Sequence, residues 1–390
     1  MAGVNFPKTT LGDTTTTART VDEDIIIVNQ AATPLLRAIS PTLNNLPTPC
    51  KSTKYEWVED ELEITESTIQ PTITAGDTSW SVASGEGEYF LAGHILQAED
   101  ELMLVTTKGT ASDTIVVARG YGYTTGASHT AGTTLRIVGR LHNEGGDATT
   151  DTYGVPTIPY NNTQIWQQQF KMTSTEMAIL RYGNVNRLDY LESKAIKVLM
   201  ALMERNFIYG TRVTRSTTAA IAATSGSSGG LMDTTAAYIY SGNRNNAASA
   251  ALTRKMILDL LQEIFGLVGV EYMPDIMMCN AWVKRKVNDM FETYVRTDRT
   301  DATGGAVYTS FMTDYGEVDL LLDHNCPAAR TFFLHTPFCA IGPLEGEQFR
   351  TVPLAITSAG ATEWQVWGEY TQMIKCPKTH GEIYGISTTT

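Results

Sequence analysis

The residues best equipped for chemistry in this 390-residue chain are six histidines and five cysteines, and neither set has a working spacing. His94, His129, His142, His324, His335 and His380 have no HExxH or CxxC-type spacing, so a zinc site would need unrelated loops to converge. Cys50, Cys279, Cys326, Cys339 and Cys376 lie far apart without a CxxC, which reads as reduced thiols in a cytosol-like compartment. The nearest approach to a nucleophile site is Asp319, Asp323, His324 and His335 around Cys326 and Cys339. Asp323 and His324, however, fall at a predicted turn, where polar side chains are ordinary. His129, inside YGYTTGASHTAG, reads as a turn residue, and Trp364 with Trp367 as strand packing rather than a sugar platform. The acidic run at 59–63, EDELE, lacks the Asp/Asn spacing and central glycine of a calcium loop. Lys284, Arg285 and Lys286 read as a solvated helix face. No P-loop, strand-linked GxGxxG or GxSxG elbow occurs. The sequence assigns no catalytic, cofactor-binding or metal-binding residue, and the expectation is a protein that is not an enzyme and has no cofactor.

Composition narrows the class further. The formal net charge is −13 and there is no basic run, so a reader of nucleic-acid phosphates is disfavoured. The hydrophobic fraction of 42% supports folded cores, and the length suggests two to three domains. No apolar window is long enough to span a membrane, and the start MAGVNFPKTTLGDTTTT lacks a signal peptide's basic flank and apolar stretch. The expectation is a soluble protein that stays inside the cell that makes it.

The elements that would have to position any site are organised around one long helix at about 187–209. Leu188, Leu191, Ala195, Val198 and Leu202 recur at steps of three and four and predict its buried face. Asn186 is the expected N-cap, Asp189 an acid favoured by the helix dipole, and Gly210 the expected left-handed C-terminal stop. Before it, residues 1–50 read as an arm: Ile25, Ile26, Ile27, Leu35, Leu36 and Ile39 need a partner surface, while Pro34, Pro41, Pro47 and Pro49 break regular structure. KYEWVEDELEI alternates like a strand (Tyr55, Trp57, Leu62, Ile64), and with the Gly-rich return after residue 139 it predicts two extended legs. Between the legs, residues 72–138 carry short β-branched runs with regular turn signals, predicting a small β-barrel or sandwich. After the long helix comes a Ser/Gly-rich surface loop. Thr253 then caps a helix burying Met256, Ile257, Leu260, Leu261, Ile264 and Phe265 and ending at Gly269. DIMMC predicts a buried strand, and Asn280 caps a third helix with Val283, Val287, Met290 and Phe291 inward. Two closing hairpins are expected, one turning at Asn325 and Pro327, the other near Pro377 and Gly381.

This order of parts resembles the major capsid proteins of tailed bacteriophages with the Hong Kong 97-type fold. The likeness is carried by KYEWVEDEL, by NNTQIWQQQFKMTSTEMAILRYGN leading into the long helix, and by ALMERNFIYG with GLMDTTAAYI after it. These motifs are structural, so the resemblance transfers no catalytic residue. It implies an α+β subunit with an N-terminal arm (1–50), an E-loop (51–71 and 139–165) and a P-domain (166–245 and 331–390) built on the long "spine" helix. The A-domain would be 246–330, and the β-rich module at 72–138 would be an insertion domain absent from the basic fold. The implied function is self-assembly into pentamers and hexamers of an icosahedral head enclosing double-stranded DNA. The implied partners are copies of the same chain, a portal and scaffold or decoration proteins, without sequence-specific nucleic-acid binding or a membrane. The protein would be made in the bacterial host cytoplasm and end in the virion. The competing reading is another phage or surface structural protein, such as a tail or fibre component, whose β-module binds a glycan or partner.

Overall fold

The computed structural model describes residues 33–40, 42–61, 66–110, 112–145, 156–179, 187–215, 226–292, 310–354 and 360–388. Asn186, Ile25, Ile26, Ile27, Leu62, Ile64, Pro41 and the Phe291 side chain lie outside them. Helix α1 (Pro34–Ile39) starts on a proline, whose missing N–H costs nothing at that position, and buries Leu35, Leu36 and Ile39. Strand β1 (Lys54–Glu56) then pairs antiparallel with β8 (Tyr160–Asn162). Backbone proximity divides the chain just after this pair: Val58–Pro159 forms one unit, and the flanking segments form the other.

The Val58–Pro159 unit is a six-stranded antiparallel sheet: β2 (Glu66–Thr68), β3 (Ser79–Ser81), β4 (His94–Ala98), β5 (Glu101–Thr107), β6 (Thr114–Ala118) and β7 (Thr134–Arg140), in spatial order β2-β7-β4-β5-β6-β3. Its two edges meet through a bridge between Ile69 and Val82, where Gln70 N–H donates to Ser81 O at 3.0 Å, closing a barrel. The strands alternate as closure requires, placing Leu96, Met103, Val105, Ile115, Val117 and Leu135 inside with Ile69, Ile73, Trp80 and Phe90. The sheet thus takes in residues on both sides of 72–138. Two glycines hold a loop against it: a Cβ on Gly109 would stand 1.8 Å from the carbonyl oxygen of Gly87, so no side chain fits there. On the outer legs Glu59 and Thr157 exchange backbone hydrogen bonds of 2.9 and 2.8 Å.

The other unit has, besides the β1–β8 pair, two sheets and four further α-helices among the described residues: α2 (Ser174–Ala178), the spine α3 (Arg187–Tyr209), α4 (Arg254–Val268) and α5 (Ala281–Glu292). In the first sheet, β17 (Ala361–Ile374) pairs along ten residues with β9 (Gln164–Thr173) and on its other side with β15 (Cys339–Pro343) and β16 (Arg350–Pro353). Trp166, Val366, Tyr370 and Ile341 from this sheet pack on Ala195, Leu199 and Met203 of α3. The buried face of the spine is therefore displaced from the periodic set: Ala195 is buried as expected, but Leu202 is 40% exposed and Leu188, Leu191 and Val198 only half-buried. The shift arises because Leu199, Met203, Phe207 and Ile208 form an equally periodic stripe, and the flanking sheet selects between the two.

The second sheet runs β10 (Arg244–Asn246), β18 (Gly381–Tyr384), β14 (Arg330–Leu334), β11 (Ile276–Cys279), β13 (Gly316–Leu322), β12 (Ser310–Thr313). Met277, Cys279, Phe333 and Ile383 face α4 and α5, while Met278, Phe332 and Leu334 face Phe207, Ile208 and α1. Burial on both faces is why IMMC (Ile276–Cys279) is a continuous apolar run. Neither closing hairpin forms. Strand β11 lies between β13 and β14, and β17 and β18 belong to different sheets, because Cys376 adopts a left-handed conformation (φ 51°) before Pro377 and turns the chain away. The helices follow their local signals more closely. Thr253 accepts from Met256 N–H at 3.3 Å, Asn280 Oδ1 from Trp282 N–H at 3.3 Å, and Gly269 has φ 70°. Ile257, Leu260, Leu261, Ile264, Val283 and Val287 are buried, Met256 and Met290 are half-buried, and Phe265 is exposed.

Candidate functional site

The densest polar constellation surrounds the C-terminal half of the spine. Gly210 does not take the left-handed stop. Its N–H continues the helical ladder to Asn206 O at 2.7 Å, and it must be glycine because a Cβ would meet Asn206 O at 2.4 Å and Ser228 O at 2.6 Å. That close approach lets the segment 228–233 lie along the helix end, with Leu231 N–H on Phe207 O and Met232 N–H on Ile208 O. Asp233 then collects Thr235, Ala236 and Arg212 backbone N–H groups. The fully buried Asn161 joins three elements: it donates to Gly229 O (3.0 Å) and Gln372 O (2.9 Å) and accepts from Gly229 N–H (2.8 Å). The neighbouring Tyr160 ring lies between Lys54 Nζ and the Arg212 guanidinium, each 3.9 Å from its centre. Tyr160 O accepts from Arg212 (2.8 Å) and Tyr238 OH (3.0 Å). On the opposite flank, buried Glu204 binds Leu36 N–H of α1 at 3.1 Å and Asn325 Nδ2 at 2.8 Å. Most of these contacts fix backbone, and together they make no nucleophile or acid–base pair.

The residues singled out for chemistry are dispersed. Asp319 is exposed, while Asp323 is fully buried against the spine. His335 Nδ1 lies 2.8 Å from Met273 O, and its ring packs on Phe338 and Tyr272. Burial raises four core thiols: Cys279 to about 12, with Cys50, Cys326 and Cys339 also above the ordinary range, so these sulfurs are packed and unreactive. Burial depresses His380 to about 4, and its Nε2 lies 3.0 Å from Lys375 O. His129 sits inside the barrel unit with Nε2 at 3.0 Å from Glu101 and Nδ1 at 3.1 Å from Glu99. Trp364 stacks on Phe170, and Trp367 donates to Glu347 at 3.0 Å. In the basic cluster, Lys286 lies over the Trp282 ring. Glu204, Asn161 and the buried Glu382, held by Arg330 and Arg244, were not distinguished in the sequence. A lone acid in the apolar window LMALMERNFIY was the available signal for Glu204. Among the described residues no group of three or more His, Cys, Asp or Glu is placed to hold a metal, and no helix is long and apolar enough to cross a membrane. An open cavity of about 250 Å³ lies between α4 and the β12–β13 turn, lined by Leu261, Val270, Pro274, Tyr315 and Glu317, with no converging catalytic groups.

A spine helix packed on a long sheet, a second sheet carrying two helices, and paired legs bordering a separate unit define a Hong Kong 97-type capsid fold. The chain belongs to the SU10 major capsid protein family, whose profile matches residues 8–387. It is thus a phage-head capsid protein, a structural component of the virion shell built from repeated subunits. The fold is similar to the capsid subunit of a native GTA particle (TM-score 0.57, 10% identity, 98% of this chain and 100% of the other covered). It is likewise similar to that of cyanophage A-1(L) (0.55, 12%, 97% and 100%), and to a structure from Gordonia phage Cozz (0.50, 8%, 98% and 98%). A search of curated proteins finds no match.

Proposed function

We propose that this chain closes into pentamers and hexamers of an icosahedral head enclosing double-stranded DNA. The observation that carries the proposal is the family match spanning almost the whole chain. Charge distribution supports it. Val58–Pro159 holds fifteen Asp and Glu against four Lys and Arg, a net −11, while the rest has 27 against 25, a net −2. A nearly neutral remainder does not grip phosphate, and the acidic unit is suited to being held away from packaged DNA. On this reading residues 1–50 are the N-terminal arm, 51–71 and 139–165 the E-loop, and 72–138 the core of an insertion domain. Residues 166–245 and 331–390 make the P-domain, and 246–330 the A-domain. Ring contacts would be heterologous, closing by rotation. Portal and scaffold or decoration proteins would complete the head, and synthesis would occur in the bacterial host cytoplasm. Negative-stain microscopy of the concentrated protein should show shells, tubes or five- and six-membered rings. A compact monomer at every concentration, with or without a scaffold protein, would overturn the proposal.

A further inference from the structure

Two carboxylates meet in the core beside the spine. Glu204 of α3 and Asp323, just after β13, are both 0% exposed. Three of their four oxygens have protein donors: Glu204 Oε2 takes Leu36 N–H (3.1 Å), Glu204 Oε1 takes Asn325 Nδ2 (2.8 Å), and Asp323 Oδ1 takes Asn325 N–H (2.8 Å). The fourth, Asp323 Oδ2, is buried without a donor, and Asn325 bridges the two residues, its side-chain amide on Glu204 and its backbone N–H on Asp323. A hydrogen bond between carboxyl groups needs a proton, and without it two negative groups would face each other out of water.

We infer that Glu204 and Asp323 share one proton through Asp323 Oδ2, and that this proton latches α1 to the spine. Leu36 N–H is the amide that Glu204 holds, and Leu36 itself packs on Ala195, Leu199 and Met203. Losing the proton sets the two acids against each other at the point where α1 is anchored. The groups facing the pair are few. Arg205 and Tyr209 of α3 bind Asn325 Oδ1 (3.0 Å) and O (2.9 Å) rather than a carboxylate. From the turn, His324 Nδ1 lies 3.8 Å from Asp323 Oδ1, and Cys326 is a buried neutral thiol. Arg330 of β14 is engaged by Glu382, and Arg37 of α1 is exposed.

The electrostatics agree with the geometry. Burial first, then repulsion from Asp323, raises Glu204 from 4.5 to about 7, and burial raises Asp323. Because the folded value lies above the unfolded one, the stabilisation is complete below 4.5 and is lost as pH rises to about 7.

Hydrogen exchange of the 34–40 segment in the full-length protein, corrected for intrinsic rates, tests the latch. Wild-type protection should fall by about tenfold per pH unit between roughly pH 5 and 7 and then level off. Asp323→Asn keeps the acceptor for Asn325 N–H, places an amide donor where the proton was and removes the facing charge, so its loss of protection with pH should be clearly smaller than the wild type's. His324→Gln should retain the wild-type profile. A pH-independent wild type, an Asp323→Asn protein with the wild-type slope, or a flat His324→Gln profile would each overturn the inference. Should Asp323→Asn fail to fold, infrared difference spectra of the wild type between about pH 6 and 8 decide: a protonated-carboxyl stretch that persists at about pH 6, above the range of ordinary carboxyls, and vanishes by about pH 8 supports the latch, and its absence refutes it.

Discussion

The guanidinium of Arg119 grips the carboxylate of Glu101 inside the barrel with two parallel bonds, Nε to Oε1 and Nη2 to Oε2, both 2.7 Å. The same carboxylate accepts from Gly120 and Ala127 N–H groups, and Arg119 Nη1 reaches Thr74 O and Asp77 O at 2.9 Å. One ion pair thus ties together the loops at one end of the barrel, and this follows from the fork geometry that lysine lacks.

Removing either partner should therefore unfold the barrel unit selectively. Glu101→Gln leaves a buried guanidinium without its counter-charge, at a cost of about 3–5 kcal/mol. Calorimetry should show the transition assigned to Val58–Pro159 moving down while the other stays; a shift within error would refute the role given to the pair.

Acid should act on the same pair. Burial alone would raise Glu101, but Arg119, the Ala127 and Gly120 N–H groups and His129 outweigh it and hold the acid at about 2 instead of 4.5. A depressed folded value contributes stability that is complete above 4.5 and is lost as pH falls from there to about 2. Unfolding followed by Trp80 fluorescence across that window should show it, and Glu101→Gln should remove that dependence.

His380 works over a higher range. Burial lowers it from 6.5 to about 4, so protonating the unfolded chain favours unfolding as pH falls between those values. The loss should amount to about 3 kcal/mol at most. A titration midpoint for the His380 ring near 6.5 in the folded protein would contradict this burial.

On the spine, adjacent-looking leucines should behave differently. Leu199→Ala opens a cavity against the β9/β17 sheet and should cost about 2–5 kcal/mol. Leu202→Ala, on the exposed shoulder, should change stability by less than about 1 kcal/mol. Urea midpoints of the two variants, at unchanged slope, separate them.

What could be read from the sequence followed local physics. The three long helices, with the caps at Thr253 and Asn280 and the stop at Gly269, depend on contacts within a few residues, and they formed as expected. The period-2 runs of the barrel behaved likewise. Sheet partners were not legible, because IMMC, DLLL and TFFL are all largely apolar and nothing in them specifies which strand lies centrally. The spine's face failed for a related reason: the periodicity of Leu191, Val198 and Leu202 is as regular as that of Leu199 and Met203, and only tertiary packing distinguishes them. The Glu204–Asp323 contact spans more than a hundred residues and leaves a single acid in an apolar window as its trace.

The threading of β11 between β13 and β14, and the pairing of β10 with β18, have a kinetic consequence. These ladders join residues such as Asn245 and Ile383, so long loops must close before any pairing gain offsets their entropy. Refolding from denaturant should consequently be slow, with unpaired strand edges exposed meanwhile. Recovered yield should then fall as the protein concentration in the refolding mixture rises, because sticking between half-made sheets is second order and closure is first.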